Sequence, residues 1–385
     1  MSQSSHRWTR RQLLVAAGLI SSGYTLLSSS KFVSPVQAEN RLINLPNQSW
    51  KMPFEGAPHR RTWMVFGASG EFWGRRWLPA AQNNLAELAL TIARYEPVTM
   101  LVRSRELGHV RGLVGDKVEL VTAEMDDIWT RDIAPIFIQR TLGERNQSQQ
   151  AALNLNFNGW GEQQLHRYDK NVASEIAELA HVREINAPLV VDGCGIDVDG
   201  AGTAMITESS VLTPKRNPAM NRIKAEQLLA PYLGVKKIIW LAGERGDYFL
   251  GSRIGRYARF VGPGHVVVSV TNSKNSPHYE LLQRHLKLLR TARDAQGRQL
   301  TIDTIPLPNR VRPRFNNGNF ASGYLGFYLC NGALIMPRYG DPSADENAKQ
   351  QLALLFPGRA IEMLNADALA ARGGSIRCAT QPEPK

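Results

Sequence analysis

Short apolar runs alternate along the chain with longer segments of helical periodicity. Strands are predicted where a few aliphatic or aromatic residues stand together before polar or glycine residues: residues 63–66, 98–102, 136–138, 189–191, 204–206, 238–241 and 266–270. Helices are predicted where apolar residues recur every three or four positions: residues 78–95, 170–181, 224–233, 280–293 and 344–356. The alternation predicts a mixed α/β fold.

Loops rich in polar residues or glycine, of the kind that carry chemistry, recur at a regular interval. They lie around Asp132, Asp192, Arg253, the pair Asn316 and Asn317, and Cys378, with spacings of 60, 61, about 63 and about 62 residues. Such a recurrence favours repeated β/α units whose loops converge. A chance spacing of selected loops gives the same numbers, so the residues alone leave both interpretations open.

The length and composition are those of an ordinary globular protein. The chain has 385 residues, of which 43% are hydrophobic and 21% charged, enough for one large domain or two of average size. No low-complexity linker or block of like charge follows residue 40 to mark a boundary. The residues alone leave one domain or two open.

The N-terminal segment has the pattern of an export signal. Arg10 and Arg11 precede a stretch of small and apolar residues, and a Ser-rich run then leads to a small-residue cleavage pattern at residues 36–38. A membrane anchor is the alternative, but Ser21 and Gly23 interrupt the apolar core, which falls short of the roughly 18 residues of a span. The sequence predicts a twin-arginine-type signal peptide over residues 1–38 and a periplasmic or secreted mature protein without a membrane anchor.

Basic residues outnumber acidic ones but are spread along the chain. The formal net charge is +12, with no run of five or six Lys or Arg and no nucleic-acid motif, so nucleic acid is not an expected partner. The three cysteines, Cys194, Cys330 and Cys378, are an odd number, which excludes a disulfide scaffold. Neither Cys-x-x-Cys nor His-x-x-x-His spacing occurs, and we predict no metal and no cofactor.

Cys378 is the first candidate for chemistry. It follows a pair of glycines, and a cysteine thiolate is a strong nucleophile. A second segment carries Asp126, Asp127 and Asp132, and paired carboxylates hold a planar cation well. An inert buried thiol is the alternative for Cys378.

Several longer motifs occur in an order that resembles one enzyme family. Residues 129–135 resemble the Trp-x-Arg-Asp-x-Gly-Pro motif of the agmatine deiminases and bacterial-type peptidylarginine deiminases, which are guanidino-group modifying enzymes. Residues 156–161 are similar to the family's Phe-Asn-Ala-Trp-Gly segment. Residues 197–203, residues 337–341 and the segment around Cys378 continue the match in order.

The resemblance implies a fold and a reaction. The expected fold is α/β, a five-bladed α/β propeller (pentein) of ββαβ units in a single domain over residues 40–381, which would account for the regular recurrence of the loops. The expected reaction is hydrolysis of a guanidino group on a small molecule such as agmatine or on a peptidyl arginine. Carboxylates bind the cation, a cysteine thiolate attacks its carbon, and a histidine protonates the departing ammonia and then activates water.

The same resemblance implies roles for individual residues. Cys378 is the implied nucleophile, and Asp132 is the implied catalytic carboxylate that holds the guanidinium. The substrate-binding candidates are Asp126, Asp127, Trp129, Arg131, Asp192, Arg253 and Arg377. Structural alternatives stay open: a salt bridge for Asp132, a turn for Asp192, core packing for Trp129 and a solvent-exposed side chain for Arg253.

The chain departs from the family where the proton carrier should stand. Arg253 takes the place of the histidine in the family's Gly-His-x-Asp motif, and Gly255 takes that of its aspartate. Arg377 replaces the histidine before the cysteine, and Cys194 ends the segment that is Glu-Gly-Gly in the family. No histidine nearby in the sequence substitutes for the missing one. Loss of a general acid/base removes roughly 10²–10⁴-fold in rate.

Three functions therefore stay open. The first is an exported hydrolase that acts on a small-molecule or peptidyl guanidino substrate through Cys378. The second is a catalytically degenerate relative that binds a small anionic ligand or a protein partner, because Arg253 and Arg377 near the thiol would repel a guanidinium. The third is altered thiol chemistry on another substrate. A disulfide between Cys194 and Cys378 after export is a further hypothesis, because their motifs converge in this family.

Overall fold

Strand pairing divides the chain into five repeats. The structure, a computed structural model, describes residues 42–45, 49–142, 147–243 and 253–385, and over those residues the strands form five separate sheets. The predicted signal peptide, residues 1–38, lies outside the described residues.

The repeats contain 16 strands and nine α-helices within the described residues. The strands are β1 His59–Phe66, β2 Val98–Val102, β3 Glu119–Thr122, β4 Ile136–Leu142, β5 Gln147–Asn154, β6 Arg183–Asn186, β7 Ile196–Val198, β8 Thr203–Thr207, β9 Lys237–Leu241, β10 Ala258–Gly262, β11 His265–Val270, β12 Thr301–Pro306, β13 Tyr328–Cys330, β14 Ala333–Arg338, β15 Ala360–Asn365 and β16 Gln381–Pro384. The helices are α1 Gly70–Ile92, α2 Leu107–Val114, α3 Thr130–Ile133, α4 Gly159–Glu162, α5 Val172–Leu179, α6 Arg222–Leu233, α7 Tyr279–Thr291, α8 Pro342–Leu355 and α9 Asp367–Ala371.

Four of the sheets share one pattern. Two adjacent strands pair antiparallel, a helix follows, and a third strand returns parallel to the second, as in β4, β5, α5 and β6. The pattern recurs around α6, α7 and α8. This is the ββαβ unit that the family resemblance implied.

The remaining sheet joins strands that are far apart in the sequence. Its order is β16, β1, β2 and β3. β16 pairs antiparallel with β1, with Gln381 opposite Trp63, and α1 leads from β1 to the parallel strand β2. β16 thus supplies the first strand of this ββαβ unit, and the predicted five-bladed α/β propeller of the pentein type is confirmed.

The helices cover the sheets with their apolar faces. In α7, Leu282, Leu286 and Leu289 recur at helical spacing and are buried, which is why the pattern in this segment predicted a helix. Gly234 ends α6 in the left-handed conformation (φ 66°), as expected of a glycine after the last apolar residue. Of the helices that the structure describes, none combines the length and the apolar character needed to cross a bilayer.

Residues 189–191 form no strand, so that prediction is wrong. The third strand of this repeat is β6, which pairs with β5. The side chain of Asn217 accepts a hydrogen bond from the backbone N–H of Val190 (2.9 Å) and donates one to its carbonyl (2.7 Å). The backbone of Val190 is therefore satisfied by a side-chain amide and not by a strand ladder.

A single helical turn precedes the first strand of every blade. The turns are Thr130–Ile133, Gly193–Gly195, Ile254–Arg256, Tyr324–Gly326 and Arg377–Ala379. They account for the regular recurrence of the loops, with one correction: the fourth turn is Tyr324–Gly326, and the pair Asn316 and Asn317 lies before it in the chain. The candidate site is built on these turns.

Candidate active site

The carboxylate of Asp132 connects separate blades. Its Oδ1 accepts a hydrogen bond from the backbone N–H of Cys194 (2.7 Å), and its Oδ2 accepts one from Nε1 of Trp160 (3.1 Å). Gly193 permits this approach, because an added Cβ there would lie 2.1 Å from the carbonyl oxygen of Arg131. Both carboxylate oxygens of Asp132 are therefore bound inside the protein.

The guanidinium of Arg253 lies beside that carboxylate. Its Nη2 is 3.8 Å from Oδ2 of Asp132, and its Nη1 donates to the carbonyl of Gly373 (2.9 Å). Its Cζ lies 4.9 Å from the ring centre of Trp129 and 5.9 Å from that of Trp160. Burial lowers the pKa of Arg253, but the acidic groups around it raise the pKa by more. Arg253 is thus a buried cation and does not point to solvent.

The thiol of Cys378 is buried among polar groups. The hydroxyl of Ser375 lies 3.4 Å from its Sγ, and the thiol of Cys194 is hydrogen-bonded to it. Burial raises the pKa of a thiol. Here the hydrogen bond from Cys194, the charge of Arg253 and the hydrogen bond from Ser375 outweigh burial and lower the pKa of Cys378. Cys378 therefore becomes a thiolate at a lower pH than a free cysteine does.

A cavity, the Cys378 cavity, reaches this thiol. Besides glycine, serine and apolar residues, its lining includes Cys194, Arg253, Arg256, His278 and Arg377. Among the described residues that line it, none carries a carboxylate. A guanidinium that entered the cavity would meet other cations, although carboxylates are the partners that it prefers.

His278 is a candidate that the motifs did not reveal. It stands at the N-cap of α7, is half-buried, and lines the Cys378 cavity. Along the sequence no histidine near the motif replaces the missing one. Folding brings His278 to the cavity from a segment that carries no motif. Neither its spacing nor its neighbours in the sequence relate it to Cys378.

Two arginines predicted to bind substrate are paired with Glu55, a residue outside the motifs. Nη2 of Arg131 lies 3.1 Å and Nε of Arg377 lies 2.9 Å from Oε2 of Glu55, while Nη2 of Arg259 lies 2.8 Å from Oε1. Burial raises the pKa of Glu55, but the three guanidinium groups bring it well below its usual range. Arg377 also reaches the Cys378 cavity, whereas Arg131 lines a separate cavity with Glu55.

Asp126 and Asp127 bind groups of neighbouring segments. Oδ2 of Asp126 accepts a hydrogen bond from the backbone N–H of Tyr168 (2.6 Å), and Oδ1 of Asp127 accepts one from Nε1 of Trp73 (2.8 Å). Burial raises the pKa of Asp127. Neither aspartate lines the Cys378 cavity, so the structure does not bring them together with the thiol.

Asp192 and Trp129 support the turns of the site. Asp192 accepts two hydrogen bonds from Arg216, at 2.6 and 3.1 Å. Trp129 is fully buried and lies against Gly374, where an added Cβ would be 1.9 Å from the indole ring. Trp129 therefore combines core packing with the contact to Arg253.

Over the part of the chain that the structure describes, no three His, Cys, Asp or Glu side chains are grouped so as to hold a metal ion.

The chain is similar to known proteins over most of its length. The family model for Porphyromonas-type peptidyl-arginine deiminase matches residues 51–384. A Streptomyces coelicolor protein provisionally named agmatine deiminase is 36% identical over 345 residues, which cover 88% of this chain and 99% of the relative. An agmatine deiminase of Pseudomonas aeruginosa is 30% identical, with 87% and 95% covered. The solved structure of an agmatine deiminase of Enterococcus faecalis matches with a TM-score of 0.81 at 27% identity, with 90% and 99% covered.

Proposed function

Because the chain belongs to the Porphyromonas-type peptidyl-arginine deiminase family, we propose that the Cys378 cavity is a modified guanidino site that binds a small anion beside the thiolate. The agmatine deiminases among its relatives are named for a substrate with a cationic guanidino group. One observation carries the proposal: the guanidinium of Arg253 lies beside Asp132 and over the ring of Trp129. A guanidinium of the protein itself thus takes the contacts that a cationic substrate would need.

Replacing this internal guanidinium by a substrate is unfavourable. The resemblance assigns the substrate to Asp132, but Cys194 and Trp160 already donate hydrogen bonds to its two oxygens. Each carboxylate oxygen can accept a further hydrogen bond, so a substrate guanidinium would have to compete with Arg253 for the lone pairs that remain on Asp132. Moving Arg253 away would also leave a buried carboxylate without its cation, which typically costs about 3–5 kcal/mol.

The charge of the cavity favours an anion. Arg253, Arg256 and Arg377 line it, and none of the described lining residues carries a carboxylate. Guanidinium groups bind carboxylate and phosphate oxygens in a planar, two-pronged geometry. A small carboxylate or phosphate is the ligand class that fits this lining.

Alkylation of Cys378 by reagents of different charge tests the proposal. Iodoacetate is an anion, iodoacetamide is neutral, and chloroacetamidine is a cation. Cationic surroundings concentrate anions, so we expect the rate ratio of iodoacetate to iodoacetamide to be roughly tenfold higher for Cys378 than for glutathione. The ratio should fall in Arg256→Gln and stay unchanged in Lys274→Gln, which removes an exposed cation outside the cavity.

Two results would contradict the proposal. One is faster alkylation by chloroacetamidine than by iodoacetate, once each rate is divided by that for glutathione. The other is steady formation of carbamoylputrescine from agmatine, or of citrulline from a peptidyl arginine, by the purified protein.

Guanidino hydrolysis is a second candidate function, because His278 lines the cavity together with Cys378. A histidine there could protonate the departing ammonia and then activate water, which is the task of the histidine that Arg253 replaces. This function requires turnover that falls roughly 10²–10⁴-fold in His278→Gln and is abolished in Cys378→Ala. Turnover that does not change in His278→Gln would exclude the histidine from this role.

Export through the twin-arginine route is also part of the proposal. The support is the sequence pattern of residues 1–38, with Arg10 and Arg11 before the apolar stretch. The wild type should appear in the periplasm as a shortened protein, and the Arg10→Lys, Arg11→Lys double variant should accumulate in the cytoplasm at full length. Equal export of both proteins rules out the twin-arginine route, and a cytoplasmic wild type rules out export.

A further inference from the structure

Cys194 and Cys378 form a facing pair of thiols. They come from the turns Gly193–Gly195 and Arg377–Ala379, which belong to two different blades. Both side chains line the Cys378 cavity. Both are free thiols that are almost completely buried, so a small reagent reaches them through the cavity that they share.

Backbone hydrogen bonds hold both cysteines in position. The N–H of Cys194 donates to Asp132 (2.7 Å), and its carbonyl accepts from Nη1 of Arg377 (3.4 Å). The N–H of Cys378 donates to the carbonyl of Ser375 (3.1 Å). Because these bonds hold the two turns and both thiols line the same cavity, side-chain rotation is the movement left for the sulfurs to approach the roughly 2.0 Å of a disulfide bond.

The two thiols differ in chemical character. Burial raises the pKa of Cys194, and the hydrogen bond to Cys378 raises it further. For Cys378 burial is outweighed by that same hydrogen bond and by the charge of Arg253, so its pKa is lowered. The thiolate is the form that attacks an oxidant. Cys378 is therefore the attacking group, and Cys194 keeps its proton.

We propose that Cys378 and Cys194 are a hydroperoxide-reactive dithiol, in which Cys378 attacks and Cys194 resolves. The Cys378 thiolate attacks one oxygen of the hydroperoxide and the O–O bond breaks, which leaves hydroxide or alkoxide and a sulfenic acid on Cys378. The sulfur of Cys194 then bonds to that of Cys378, and the sulfenic oxygen leaves as water with the thiol proton of Cys194. The two sulfurs are oxidised to a disulfide, and the hydroperoxide is reduced.

The bridge would have two consequences for the site. It removes the thiolate reversibly, since a disulfide is restored to thiols by a dithiol reductant, whereas a sulfinic acid is not. It also places a neutral group beside Arg253 where an anion stood. The inference does not rest on anion binding in the cavity, because a neutral hydroperoxide can react whether or not an anion binds there.

Thiol counting after treatment with hydrogen peroxide tests the inference. The chain has three cysteines, and one equivalent of peroxide should leave a single thiol that can be labelled after denaturation. That thiol is Cys330, which is buried in β13 and whose pKa burial raises to about 12. Dithiothreitol should restore all three. Three surviving thiols, or loss of Cys330 before the other two, overturn the proposal.

Variants separate the two roles. In Cys194→Ser the reaction should stop at the sulfenic acid of Cys378, which dimedone traps, and continue with excess peroxide to a sulfinic acid that dithiothreitol does not reverse. In Cys378→Ser no thiol should be lost, and Cys330→Ser, the matched control, should form the bridge as completely as the wild type. A wild type that accumulates as much dimedone adduct as Cys194→Ser has no resolving thiol, which overturns the proposal. The wild-type measurement decides even where a variant fails to fold.

Discussion

At the scale of single residues, Arg253 supplies the positive charge that, with Cys194, lowers the pKa of the Cys378 thiol. Its guanidinium lies beside Asp132, donates to the carbonyl of Gly373 and lies over the ring of Trp129. These contacts fix a cation next to Cys378, where it favours the thiolate. A neutral side chain in its place would leave Asp132 and the thiolate as two anions in a buried site, and the pKa of the thiol would rise.

Arg253→Gln should therefore raise the pKa of Cys378. The thiolate fraction rises as the pH increases through the pKa, so alkylation of the wild type by iodoacetamide should reach half its maximal rate well below the pH of about 8.5 expected of a free cysteine. In the variant this midpoint should move to higher pH. The measurement is the alkylation rate from mildly acidic to alkaline pH. Arg298→Gln, which removes an exposed cation paired with Asp294, is the control, and equal midpoints in all three proteins contradict the argument.

At the scale of elements, the periodicity of the sequence predicted the strands and helices whose apolar residues pack in the core. The strand β5, Gln147–Asn154, begins with polar residues and was missed, because its pairing with β4 is what makes it a strand. The motifs indicated Cys378, Asp132 and Arg253, and the structure brings these three together on the converging turns. His278 lies in a segment without a motif, so only tertiary packing brings it to the cavity.

Among these elements, the Arg377–Ala379 turn depends on Gly374, which lies just before it in the chain. An added Cβ would lie 1.9 Å from Cζ3 and 2.2 Å from Cη2 of Trp129, closer than any packing permits. Gly374→Ala should therefore destabilise the protein by about 1–3 kcal/mol, as overpacking does, and should slow alkylation of Cys378 by displacing the turn. Gly318→Ala is the matched control, because nothing lies within 4 Å of its added Cβ. Urea unfolding measures the free energy of unfolding of both variants. Equal values would show that the turn moves without loss of stability.

At the scale of the whole molecule, Glu55 connects blades through buried charge. It pairs with Arg131 from the turn before β4, with Arg259 from β10 and with Arg377 from the turn before β16. Buried charges are stable only with their partners in place. The orientation of Arg377, and with it the position of the adjacent Cys378, therefore depends on a carboxylate that is distant in the sequence.

Glu55→Gln keeps the size of this side chain and removes its charge. Three buried guanidinium groups then lose their shared anion, and breaking such a network typically costs about 3–5 kcal/mol.

The sign of the pH effect follows from the lowered pKa of Glu55. Its stabilisation is present above the unfolded pKa of about 4.3 and is lost as the pH falls towards the lower pKa of the folded state. Urea unfolding should therefore show a wild type that loses stability on acidification below about pH 4 and a variant that loses less.

Glu346→Gln, which breaks an exposed pair with Lys349, should cost less than about 1 kcal/mol. If the two variants are equally stable at neutral pH, Glu55 does not connect the blades.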